Sequence, residues 1–324
     1  MNRVRTVLGD VEAESLGAAY CHEHLLTRPA GTWTGGDRDL FLDDERTALA
    51  ELGVFRDVGG GAIVEVSTEE LGRDPDGLRR LSERSGVHVV AATGHICEMY
   101  WRGAVDVGAR GEDELVERFV RDLTEGIDGT GVRAGVIKVG SSEGGPNPTE
   151  HRVMRAAAAA HRSTGAPITT HTTAGTAPLQ QLDVLEAAGV ALDRVCVGHL
   201  DRRLDWDEHA EVANRGAFVG YDCVGKERYQ PDAERVRLIL RFVEAGLGSR
   251  ILLAGDMARR SYLRSWGGPG YAFILGSFLP RLVSAGLSEA AARALVVDNP
   301  ARFLVWRAPE LDLGAADPVS VGRS

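Results

Sequence analysis

Leu16-Gly17-Ala18-Ala19-Tyr20-Cys21-His22-Glu23-His24-Leu25 is a run of small and apolar residues that ends on two imidazoles. Its composition suits a buried strand. Side chains alternate across a strand with period two, so His22 and His24 share a face where the strand runs out. Imidazole is the commonest metal-ligating side chain, which makes the pair a candidate half-site. The stretch also separates two folds. An open doubly wound sheet usually carries a Gly-rich phosphate loop after its first strand, and here that position reads His-Glu-His.

Downstream, the β-like runs Ala62 to Ser67, Val87 to Thr93, Ala134 to Val139, Pro167 to His171, Arg194 to Gly198, Ala217 to Tyr221 and Arg250 to Gly255 recur with helix-like segments between them. Gly86, Gly165, Gly189, Gly216 and Gly246 each follow a helical run and precede a β run, where a left-handed helix C-cap wants glycine. Eight strands alternating with helices imply parallel pairing, and eight units predict closure into a (β/α)8 TIM barrel of the α/β class as a single domain. The barrel is expected over residues 1–306. Residues 307–324, poor in large apolar side chains, read as a loose C-terminal tail.

The chain has 324 residues, 44% of them apolar and 26% charged, with a formal net charge of −10. That charge disfavours general binding to nucleic acid or to an anionic membrane. No apolar run approaches the ~20 residues of a membrane span, and the N-terminus leads into no signal-peptide core. A cytoplasmic protein is expected. Cys21, Cys97, Cys196 and Cys223 form no C-x-x-C pair and read as reduced, buried thiols.

In a (β/α)8 barrel every strand ends on one face, where active sites are built. His22 and His24 fall at the end of the first β run, Lys138 at the fourth, His171 at the fifth, His199 at the sixth and Asp256 at the eighth. His151, His161 and His209 fall on helical runs and are expected to be solvated. Lys138 is the odd member, because an ammonium is rarely buried unpaired. Pairing with Glu65 is one reading. Addition of carbon dioxide to its amine is the other, giving a carbamate whose two oxygens can bridge two cations.

Val7-Leu8-Gly9 with His22-Glu23-His24-Leu25, Val136-Ile137-Lys138, Thr170-His171-Thr172, Gly198-His199-Leu200-Asp201, Gly255-Asp256-Met257 and Asn299-Pro300-Ala301-Arg302 resemble the phosphotriesterase-related branch of the amidohydrolase superfamily. The resemblance implies a hydrolase with two divalent metal ions: zinc first, manganese or cobalt as alternatives. It puts His22, His24 and Asp256 on the buried ion and His171 and His199 on the exposed one, with the Lys138 carbamate and a hydroxide bridging them. Asp256 would also be catalytic, carrying the proton from the attacking hydroxide to the leaving group. A homodimer is a further expectation from the family.

True phosphotriesterases, on the same resemblance, follow the sixth-strand histidine with an acidic relay cluster and place a histidine after the seventh strand. Here Asp201-Arg202-Arg203 and Asp222-Cys223 occupy those places. Arg202, Arg203, Lys226, Arg228, Arg259 and Arg260 gather in the last three loops of an acidic protein, which suggests an anionic small-molecule substrate. Pairing with Asp201, Asp205, Asp222 and Glu227 is the bland alternative. Gly225-Lys226, Tyr229-Gln230-Pro231-Asp232 and the Asp256 to Tyr262 segment resemble family members that open phosphorylated sugar lactones. That resemblance implies Lys226 and Arg259 as phosphate ligands. Tyr229, Arg260 and Arg202 are further substrate candidates, and Tyr100 is a candidate wall of the pocket. The expected activity is therefore a lactonase, with a phosphotriesterase or broad esterase as the alternative and a non-catalytic metal-binding barrel as the second.

Overall fold

The computed structural model describes residues 2–307. The expected tail therefore lies, apart from Arg307, outside the described residues. A two-stranded antiparallel hairpin, β1 (Arg3–Thr6) and β2 (Gly9–Glu12), comes first. Eight strands follow: β3 (Ala18–Glu23), β4 (Gly60–Glu65), β5 (His88–Gly94), β6 (Val136–Ser141), β7 (Ile168–Thr172), β8 (Val195–Gly198), β9 (Phe218–Tyr221) and β10 (Ile251–Leu253). They pair in parallel in chain order from β3 to β10, with helices between them, as the alternating pattern predicts. The sequence does not announce the hairpin, because two strands of four residues each carry little periodic signal.

Period-two alternation sorts the core into two layers. Ala19, Cys21, Ala62, Val64, Val90, Ala92, Val136, Cys196, Phe218 and Leu252 pack together inside the barrel. Val4 and Leu16, with Phe303 and Leu304 of the last helix, close the floor of that cluster. The residues between them in sequence, such as Tyr20, Ile63, Val89, Ile137, Val197 and Val219, face the helices in the larger cluster. Helix ends follow local chemistry. Gly86 and Gly165 terminate their helices at positive φ, and Asn147 with Glu150 forms a reciprocal capping box at the start of the helix Pro148–Thr164.

Two helical histidines differ from the expectation of solvation. His161 is buried with Nδ1 2.7 Å from the Ala166 carbonyl oxygen. His209 is buried with Nδ1 2.9 Å from the Tyr221 hydroxyl. Each satisfies a polar neighbour on the inner side of its helix.

The barrel is nearly closed. β10 and β3 share no ladder, but Asp256 N donates to His22 O at 3.2 Å. The fully buried Glu23 carboxylate accepts from Gly255 N at 2.6 Å and Met257 N at 2.8 Å. One side chain thus stands in for the missing rungs. Glu23→Ala leaves two buried N–H donors unpaired, each costing about 1–3 kcal/mol. A fall of roughly 2–5 kcal/mol in chemical-denaturation stability is expected, and an unchanged midpoint would remove Glu23 from barrel closure.

Candidate metal centre

The six side chains singled out at strand ends meet in one pocket at the C-terminal face. His24 Nε2 lies 3.3 Å and His22 Nε2 3.8 Å from Asp256 Oδ1. Lys138 Nζ sits 3.3 Å from His22 Nε2 and 3.3 Å from the Thr170 carbonyl oxygen. The His199 ring is centred 4.6 Å from that of His22 and 4.5 Å from that of His171.

Plain strand alternation aims only some of them. Lys138 shares a face with Val136, and His171 with Thr169, so both enter the barrel by period two. His22 needs an irregularity, because simple alternation would group it with the outward Tyr20. The register slips between Tyr20 and Glu23, three residues of β3 spanning two of β4, and this bulge re-aims the chain. His199 and Asp256 turn in on left-handed backbone, at φ 60° and 48°. Such φ values are strained for residues other than glycine and concentrate at functional sites. Gly94 matters for a related reason: a Cβ there would lie 1.9 Å from the Lys138 carbonyl oxygen.

Outer partners orient the rings. The buried Asp222 carboxylate has Oδ2 2.8 Å from His22 Nδ1 and Oδ1 2.7 Å from His199 Nδ1, and it also accepts from His199 N. Ser67 Oγ lies 2.7 Å from His24 Nδ1. All three ring contacts are made at Nδ1, which leaves Nε2 free to face the centre. Asp222 appears in the sequence only as a carboxylate one residue beyond β9. The sequence offers it only as an alternative partner for the basic loops, although its place at a strand end is the available signal.

Burial keeps the His22 and His171 imidazoles neutral, the state a metal ligand requires. It lowers His22 to about 3, with Lys138 adding to the effect, and holds His171 well below its ordinary range. Burial also lowers Lys138 to about 8, against the pull of Asp222 and Asp256. For Asp256, burial raises the carboxyl, but Lys226 and the histidines outweigh it and hold the group well below the usual range. Among the described residues no carboxylate ion-pairs with Lys138, and the pairing with Glu65 is not formed. Glu65 instead accepts from Leu25 N and Ser67 N. The donor set, with imidazole nitrogens converging on a carboxylate, fits divalent cations.

The remaining candidates divide. Tyr100, Arg202, Lys226, Tyr229 and Arg259 line the same pocket. Lys226 is buried and ion-paired to the Asp256 carboxylate, and it also donates to the Asp256 backbone carbonyl. Arg259 Nη1 pairs with Asp37 at 2.7 Å and Asp39 at 3.3 Å. Arg260 turns into a neighbouring cleft, donating to the Phe41 carbonyl oxygen at 2.6 Å and pairing with Asp43. Of the acidic partners expected for the arginines, Asp205 pairs with Arg203 at 2.8 Å. Asp37, Asp39 and Asp43 were not anticipated, because they lie over two hundred residues away in sequence. Among the described residues Arg202 has no carboxylate partner, and its guanidinium stacks 4.4 Å over the Tyr229 ring. Partners that orient metal-bound histidines typically contribute 10–100-fold to metal affinity. Asp222→Ala is therefore expected to weaken zinc binding by about that factor in chelator competition, and unchanged affinity would contradict the orienting role.

The phosphotriesterase family model matches residues 2–304. A phosphotriesterase homology protein of Escherichia coli is 35% identical over 288 residues, covering 89% of this chain and 97% of that one. The human N-acetyltaurine hydrolase is 29% identical, covering 94% and 98%. The crystal structure of a lactonase from Listeria monocytogenes superposes with a TM-score of 0.91 at 32% identity, covering 94% of this chain and 100% of the other. With the eight-stranded barrel and the histidine cluster at its C-terminal face, this chain belongs to the phosphotriesterase family.

Proposed function

We propose that this hydrolase is metal-dependent and opens a small carbonyl compound bearing an anionic group, a phosphorylated sugar lactone being the first candidate. The observation that carries the reading is the convergence of the six ligand-type side chains beside Arg202, a pocket cation with no carboxylate partner among the described residues. His22, His24 and Asp256 would hold one divalent cation and His171 and His199 a second, with Lys138 as a carbamate between them. Zinc is the first choice. Two such ions supply Lewis acidity toward the substrate oxygen and lower the pKa of a water from 15.7 toward about 7.

The chain's own residues do the rest. A buried lysine without a carboxylate partner is costly as an ammonium, and a carbamate removes that cost while supplying two oxygen donors. Asp256, kept ionised beside Lys226, accepts the proton and returns it to the leaving oxygen. Arg202, held flat over Tyr229, offers its guanidinium fork to an anionic substituent. Lys226 lines the same pocket, its Nζ 6.0 Å from the centre of the same Tyr229 ring, as a second cation for that anion. Tyr100 packs its ring edge-on to His171, at 5.4 Å between centroids, and limits the space above that ring. Arg259 and Arg260, already neutralised by aspartates, fit better as ties between loops than as the phosphate site.

The relatives' printed names support the class. One is called a lactonase, and the Escherichia coli protein has been crystallised with phosphate in its active site. An N-acetyltaurine hydrolase cleaves an amide, so lactone and amide are both tested below. The test is a panel on zinc-loaded protein: a phosphorylated lactone, its neutral counterpart, N-acetyltaurine and a neutral phosphotriester. Preference for the phosphorylated lactone is expected. Arg202→Ala should cut kcat/KM on it by roughly 10–100-fold, the worth of a charge-assisted hydrogen-bond pair, with little change on the neutral lactone. Equal losses on both would sink the anion role of Arg202, and preference for the triester would return the chain to phosphotriester chemistry.

A further inference from the structure

The pocket has two unlike sides. Leu71, Ile96 and Cys97 form a hydrophobic cluster separate from both barrel cores, with Trp33 and Tyr100 packed on it. Trp33, Leu71, Ile96 and Tyr100 all line the pocket. They come from the loops after β3, β4 and β5, while Arg202, Lys226 and Tyr229 come from the loops after β8 and β9. Strand order around the barrel sets the two groups on opposite sides of the ligand cluster.

The apolar side is built to hold its shape. The Trp33 ring lies 5.0 Å from that of Tyr100, at 80°. Its indole sits directly on Gly31: a Cβ there would fall 2.4 Å from Trp33 Cδ1 and 2.9 Å from the Tyr100 carbonyl oxygen. Tyr100 belongs to the short helix Glu98–Trp101, which is fastened at its start. Glu98 N donates to Glu150 at 3.0 Å, and Asn147 Nδ2 donates to the Glu98 carboxylate at 2.8 Å. Trp33 Nε1 is buried and has no acceptor among the described residues.

We propose that this wall receives the acyl half of the substrate, and that this half is a short hydrocarbon chain. The proposal rests on the carbonyl-hydrolase reading above and narrows it, putting substrates whose acyl side carries no hydroxyl groups ahead of the sugar lactone. Leu71 and Ile96 offer nothing to hydroxyl groups, so a polyhydroxylated ring placed there would lose hydrogen bonds to water without replacement. A chain of methylenes instead gains from leaving water. The substrate class is thus an ester, lactone or amide with a plain acyl side and an anion on the alcohol or amine side. In the reaction the water oxygen bonds to the acyl carbon and the bond from that carbon to the leaving oxygen or nitrogen breaks. The water's proton passes to the leaving atom.

The test uses zinc-loaded full-length protein with acetyl, butyryl and hexanoyl esters of 2-hydroxyethyl phosphate, beside the same esters of ethylene glycol. Between acetyl and butyryl, kcat/KM is expected to rise about tenfold, at roughly fourfold per buried methylene less incomplete burial. Trp33→Ala should cut the butyryl-to-acetyl ratio at least threefold. Gly31→Ala, which displaces the indole without removing it, should do the same, and zinc content and melting temperature report whether each variant is folded. A flat or falling series in the wild type would overturn the proposal, as would an unchanged ratio in folded variants. The two ester series separate the readings. Chain-length dependence without phosphate preference upholds the acyl wall and refutes the anion site, whereas phosphate preference with a flat series does the reverse.

Discussion

Glu23 joins barrel closure to site assembly in one interaction. Its carboxylate, lying between His22 and His24 in sequence, holds the backbone N–H groups of Gly255 and Met257, the residues on either side of Asp256. The last strand therefore meets the first through the segment that carries three of the six candidate ligands. A barrel that failed to close there would also lose the approach of His24 to Asp256. The outer shell depends on the same meeting, because Asp222 ties His22 of the first barrel strand to His199 beyond the sixth.

Most of this architecture was legible in the sequence. The alternation of β and helical runs, with glycines at the helix ends, yields the eight-stranded parallel order. Lys138 and His171 are placed by period two alone. His22 is not: its inward aim depends on a bulge, and bulges leave little trace in a single sequence. His199 and Asp256 depend on left-handed backbone, which Asp and His adopt more readily than most residues but which nothing in the local sequence announces. Their roles were readable from residue type and strand-end position, but the backbone that aims them was not.

The basic loops show what a sequence hides. Six cations near the mouth of an acidic protein suggested a clamp, yet Arg259 and Arg260 bind aspartates of the loop after β3. Ser261 reinforces the tie, with N and Oγ each 2.7 Å from the Asp39 carboxylate. Contacts between residues so distant in sequence leave no periodic signature. Half-exposed pairs of this kind contribute at most about 1 kcal/mol each, so their value lies in joining two loops across the pocket mouth. Of the six, Arg202 and Lys226 line the pocket without pairing to that loop. Trp33 was passed over for a similar reason, since its place on Gly31 and against Tyr100 exists only in three dimensions.

The central claim is a binuclear centre built on Lys138. Metal stoichiometry of the purified protein, after zinc loading and dialysis, tests it most directly, with Lys138→Met as the comparison. Two zinc ions per wild-type chain and clearly fewer in the folded variant are the predicted result. One ion or none in the wild type, or two in both proteins, would contradict the account.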